Sequence, residues 1–187
     1  MSTMPSSPTG PNPVNDDPIR PSAPTDFPAD GLPPMAWRLG YGGLFPFVMG
    51  ALLVWLVNDQ ARACVSLGLA GYGAVIVSFL GGIHWGHAMQ MPPNSPAASS
   101  ALVWGVMPSL VAWMGLVMPP YAGLVILGVA LVGCYLVDRR RYAAQGLSAW
   151  LTLRFRLTAI AALSCFLGAA GVGYEIGSAA EQCLPPG

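Results

Sequence analysis

From Leu39 onward the chain alternates long apolar runs with brief polar interruptions. Five runs stand out, at residues 39–57, 64–91, 101–118, 121–137 and 155–174. A helix needs about 20 apolar residues to cross ~30 Å of hydrocarbon, and each run is close to that length, with the fourth at the short limit. None carries a charged residue in its middle. Runs that are apolar on every side suit lipid better than a one-sided protein core. The pattern therefore predicts an all-α fold, an integral membrane bundle of five transmembrane helices over residues 35–176. Pro46 and Pro108 fall inside the first and third runs. Membrane helices accept such prolines with a kink and a freed carbonyl four residues earlier.

The connections are short, except for the last. "NDQARA" joins the first two runs, "PPNSPAASS" the next two, and "PP" at 119–120 makes a tight helical hairpin. The fourth connection, Asp138 to Arg154, is long. Its central part, residues 142–153, fits either a short helix lying in the interface or a plain loop.

The ends belong to a different regime. Residues 1–34 hold ten prolines, four aspartates and few large apolar side chains. Such a segment buries too little surface to offset its ordering entropy, which predicts a disordered, Pro-rich cytoplasmic tail. It has neither the basic start and apolar core of a signal peptide nor the Arg-rich, acid-poor composition of a transit peptide. Residues 177–187 are expected to form a short outer tail.

Composition agrees with a lipid solvent. The chain of 187 residues is 54% hydrophobic and 9% charged, against about 25% charged in ordinary soluble domains. All eight basic residues are arginine and the net charge is zero, so nucleic acid is not an expected partner. Cys64, Cys134, Cys165 and Cys183 are scattered, with no zinc-finger spacing. With five crossings, Arg38, Arg139, Arg140, Arg141, Arg154 and Arg156 share one side and Arg62 has the other. The positive-inside rule then puts the N-terminus in the cytoplasm and the C-terminus outside, in a cell inner membrane. Cys64 and Cys183 fall together on the outer side, where a disulfide is chemically allowed.

His84 and His87 stand three residues apart near the end of the second run. At ~1.5 Å per residue that run extends about 42 Å, so both histidines are placed near the cytoplasmic headgroups. At about 100° per residue they point within roughly 60° of each other. They read either as polar aromatics at the interface beside Trp85, as a proton-sensing pair, or as metal or haem ligands. A metal needs further donors, for which Asp138 and Cys134 are the candidates at similar depth. Two histidines on one helix face cannot hold both sides of one haem iron.

Ala70, Ala74, Ser78, Gly82 and Gly86 recur every four residues on the same run. Such a small-residue ridge lets another helix backbone approach closely. By helix geometry the histidines lie roughly opposite its inner part. Ala101, Gly105 and Ser109 form a similar ridge on the third run, and Ala161, Cys165, Ala169 and Gly173 one on the fifth. Arg139, Arg140 and Arg141 act as topology determinants or as contacts for anionic lipid. Trp150, Arg154 and Arg156 are read as interfacial anchors of the last crossing.

"SFLGGIHWGHAM" (78–89), "WGVMPSLVAW" (104–113) and "WLTLRFRLT" (150–158), in this order, resemble the domain-of-unknown-function family 3429, the transmembrane protein 69-like family. The resemblance runs from about Met35 to Gly173. It implies a multi-span membrane protein and brings no established activity, cofactor or catalytic residue. It also implies that arginine can stand at position 84, which makes His84 a basic interfacial position rather than a ligand.

No Ser/His/Asp set, phosphate loop or carboxylate pair is visible, and acid–base chemistry needs such groups within reach of one another. The expectation is a non-enzymatic integral membrane protein with no cofactor. It would serve as a scaffold or assembly factor, with the lipid bilayer and either a membrane-protein partner or a second copy as its contacts. Two alternatives stand beside it: a small neutral-solute transporter or channel, and a metal- or haem-binding redox protein using His84 and His87.

Overall fold

The computed structural model of the chain describes residues 33–92, 95–143 and 148–182, with side chains over 33–92, 95–140 and 150–173. Five helices account for nearly all of this: α1 Pro34–Leu56, α2 Asp59–Ala88, α3 Pro96–Val117, α4 Pro120–Ala143 and α5 Ser148–Gln182. No strand occurs among the described residues. Each helix contains a stretch long and apolar enough to cross a membrane, and buries less than half of that stretch inside the protein. The remaining apolar surface, including Leu39, Phe45, Phe79, Val103, Trp113 and Leu163, is exposed. Such a surface has no place in water. The chain is an all-α, multi-pass membrane protein.

The helix starts have local causes. Proline has no amide to lose at the first helical position, and Pro34 and Pro96 occupy it in α1 and α3. Ser95 Oγ accepts from Ala98 N and Asn58 Oδ1 accepts from Ala61 N, capping α3 and α2. These caps extend the helices beyond the apolar runs. "SPAASS" is therefore the first turns of α3 and not part of a loop.

The long fourth connection is different from either expectation. Helix α4 continues through Arg139 and Arg140 to Ala143, and α5 begins at Ser148. Residues 150–153 are thus in the first turns of α5, and no separate interfacial helix exists among the described residues. Helix α5 also continues to Gln182, through part of the expected outer tail. Residues 1–32, which cover nearly all of the expected Pro-rich tail, and Cys183 lie outside the described residues, as does the side chain of Arg141.

Helix α2 is the hub and touches each of the other four. The core that results is small and dense. Phe47 of α1, Val77 of α2, Leu124, Leu127 and Leu131 of α4 and Cys165 of α5 are all almost completely buried. Phe47 meets Tyr72 edge to face, with ring centroids 5.0 Å apart.

Two backbone approaches set the spacing of α2, α3 and α4. A Cβ on Gly81 would run into the Gly105 carbonyl, and one on Gly123 into the Gly115 carbonyl. Only glycine allows either contact. The α2 ridge is therefore corrected in its inner half. Ala70 and Ala74 are buried and Ser78 is half-buried, but Gly82 and Gly86 are exposed, with open space where a side chain would start. A four-residue repeat turns about 40° per step around a helix of 3.6 residues per turn, so a ridge of this length leaves the contact face. Gly81 takes over as the packed glycine. On α3, Ala101 and Gly105 are buried and Ser109 half-buried; on α5, Ala161, Cys165 and Ala169 are buried and Gly173 is exposed.

Aromatic donors bind the helices at three further points. Tyr72 Oη donates to Gly43 O at 2.8 Å, Trp85 Nε1 to Leu102 O at 3.1 Å, and Trp55 Nε1 to Leu167 O at 3.2 Å. Trp85 is thus a clamp between α2 and α3 as well as an aromatic near the helix end.

Candidate functional site

Three ionisable side chains from three helices meet in one place. Helix α4 supplies Asp138, one turn beyond the buried Cys134. Helix α5 supplies Arg154 from its second turn, and α2 supplies His84 from its last turns. Arg154 Nε and Nη2 both donate to Asp138 Oδ2, at 3.0 and 2.8 Å. His84 Nε2 lies 3.6 Å from the other carboxylate oxygen, Oδ1. Side-chain exposure is 8% for His84, 5% for Asp138 and 16% for Arg154.

Placing a carboxylate here is costly, and ionisable groups inside membrane bundles persist when they face inward and are paired. The planar guanidinium suits that task because it is weakly hydrated and presents several donors in a fixed fork. The 3.6 Å approach of His84 is too long for a hydrogen bond, so it acts on Asp138 as a nearby dipole or charge. The node ties α2, α4 and α5 at the end of the bundle where Arg38, Arg139, Arg140 and Arg156 are exposed.

Several expectations change at this point. His84 is buried among the helices and is not exposed on the bundle surface. It shares the packed face with Gly81 and Ala88, whereas His87 is exposed. The two histidines therefore do not act as one pair. Arg154 turns inward to Asp138 and is not a free interfacial anchor, while Trp150 and Arg156 are exposed as an anchor requires. Arg139 and Arg140 are also exposed.

Of the metal candidates His84, His87 and Asp138, the fold brings together the first and third. No group of three His, Cys, Asp or Glu side chains converges among the described residues. The guanidinium holds Asp138 Oδ2, and Oδ1 faces His84 Nε2.

A cavity of about 560 Å³ lies beside the node. Its walls come mostly from α1, α2 and α5, and α4 contributes Leu131 and Asp138. The lining is mostly apolar, and Asp138, Arg154 and Thr158 are its polar members. Thr158 follows Arg154 by one helical turn and is 5% exposed, yet its Oγ1 has no hydrogen-bond partner among the described residues.

The sequence does carry a signal for this node, although hydropathy and motif spacing do not pick it out. An acid at the end of one crossing and an arginine at the start of the next flank a single connection, so chain topology returns them to the same depth.

Comparison with known proteins gives the chain its relatives. Over 105 residues it is 38% identical to "Transmembrane protein 69" of Xenopus tropicalis, an alignment covering 53% of this chain and 40% of that protein. The chain thus spans less than half of that relative's length. No solved structure matches it. The family model described as "Protein of unknown function (DUF3429)" matches residues 32–170, from the start of α1 through most of α5 and including all three residues of the node; the chain belongs to that family.

Proposed function

We propose that this protein is a non-enzymatic accessory factor of a cell inner membrane, a rigid helical scaffold for another membrane component. The observation that carries the reading is the state of the ionisable groups inside the bundle. Asp138 and Arg154 are bound to each other, and His84 comes within 3.6 Å of the Asp138 carboxylate. The Asp138–Arg154 hydrogen bonds join α4 to α5, and His84 of α2 packs against the carboxylate. Ion-coupled carriers usually keep such groups available near the bilayer midplane.

The orientation belongs to the same proposal. The exposed arginines at the α1 start, the α4 end and the α5 start face the cytoplasm, as the positive-inside rule requires. The N-terminus is then cytoplasmic and the C-terminus outside. Reporter fusions at the two ends check this: a reporter at the C-terminus active only outside agrees, and one active in the cytosol inverts the scheme.

Purification from native membranes in mild detergent, paired with quantitative membrane proteomics of a deletion strain, tests the scaffold role. One membrane protein should co-elute at fixed stoichiometry, fall in abundance on deletion and return on re-expression. A chain that elutes alone and carries neutral solutes across reconstituted vesicles would overturn the proposal.

A further inference from the structure

The cavity beside the node has the shape and chemistry of a lipid site. Its mouth is flanked by Leu39 of α1, Phe79 and Ile83 of α2 and Trp150 of α5, which are cavity-lining and exposed at once. Because α1 and α2 are joined at their far ends by a short turn, this mouth lies between their free ends. Its exposed apolar flank belongs to the same surface that faces lipid. Small-molecule sites commonly enclose ~300–1,000 Å³ of mainly apolar space with a few polar groups that fix orientation, and 560 Å³ falls in that range.

The polar end restricts the occupant. Asp138 and Arg154 are the charged residues of the lining and balance each other, so the lining offers no net positive charge to hold an anion. It offers a dipole and donors. Arg154 spends Nε and Nη2 on the carboxylate, and a guanidinium has further N–H groups. The Thr158 hydroxyl, buried and without a hydrogen-bond partner among the described residues, is the second available group. Buried polar atoms of this kind are nearly always satisfied by some partner.

We infer that the cavity between α1, α2 and α5 binds a neutral amphiphilic lipid from the bilayer, its chain among the apolar walls and its hydroxyl or carbonyl oxygens against Arg154 and Thr158. This site is independent of the scaffold role and stands or falls by itself.

The test uses the full chain in its native membrane and a monoacylglycerol carrying a diazirine and an alkyne. After irradiation, labelled peptides should come from the cavity walls of α1, α2 and α5. Leu39→Trp, at an exposed mouth position, and Ala36→Trp, at a half-buried lining position, should each abolish that labelling. Two positions are used so that a folding failure at one leaves the other to decide. Thr158→Val keeps the side-chain shape and removes one hydrogen bond, and should lower labelling about fivefold. Val103→Trp, on the exposed face of α3, should leave it unchanged.

Labelling of equal yield on the outward face of α3, insensitive to the mouth variants, would show bulk surrounding lipid and overturn the inference. A matching fatty acid probe that labels the cavity more strongly than the monoacylglycerol would overturn the assignment of a neutral head.

Discussion

The α2–α3 seam and the α2–α4–α5 node lie on the same stretch of one helix and join their partners by opposite means. At the seam Gly81 and Gly105 bring two backbones together, closed over by the Trp85 ring. At the node His84, one turn away, faces an aspartate held by an arginine. The seam needs the absence of side chains, and the node needs particular ones. Lipid explains why both occur. Apolar burial drives little association between membrane helices, because lipid tails are as apolar as leucine, and close packing and polar contacts carry it.

The largest effect should come from breaking the node unevenly. Arg154→Leu leaves the Asp138 carboxylate buried without its guanidinium, at a cost of about 3–5 kcal/mol. Steric trapping in detergent or bicelles would read it. Asp138→Leu should cost less, since the long arginine stem can carry its charge toward the interface. Replacing both, Asp138→Leu with Arg154→Met, should recover most of the loss, because a well-packed apolar substitute often equals a buried pair. A double variant no better than Arg154→Leu alone would mean that the node does more than hold the helices together.

The seam comes next. Gly105→Val has nowhere to place its side chain except into the Trp85 ring and the Gly81 carbonyl, and overpacking of this kind costs about 1–3 kcal/mol. Gly82→Val, one residue off the seam with no atom close to its Cβ position, should stay within about 0.5 kcal/mol. Equal damage from the two would place the working contact on the outer ridge, against a second copy of the chain. Among the contacts themselves, the aromatic hydrogen bonds contribute least. Tyr72→Phe removes the bond to Gly43 O and should cost about 0.6 kcal/mol, the typical value of such bonds in membranes.

These contacts also show where reading the sequence succeeds. The five crossings were legible because lipid demands long apolar runs, and no other solvent permits them so densely. Their ends were less so. Ser95 and Asn58 cap helices from polar segments that look like loops, and Arg139 and Arg140 continue α4 where hydropathy alone stops it.

The rotation of α2 was the harder matter. In water the apolar stripe marks the packed side of a helix, but in lipid every side is apolar. The only marks are small residues, and α2 carries glycines at 81, 82 and 86 pointing in different directions. Nothing in α2 alone selects Gly81. The choice is made by Gly105 on α3 and by Asp138 on α4. With Gly81 selected, His84 turns into the bundle and His87 out of it. The Asp138–Arg154 pair was accessible in principle from chain topology. The cavity was not, because it is a gap left by four helices and no local pattern records it.

The central claim is that His84, and not His87, enters the bundle beside Asp138. Paired cysteine cross-linking in native membranes tests it most directly. In a chain with its own cysteines replaced, His84→Cys with Asp138→Cys should join rapidly through a short bis-methanethiosulfonate reagent, and His87→Cys with Asp138→Cys should not. Rapid joining of the 87–138 pair with the 84–138 pair inert would contradict the account.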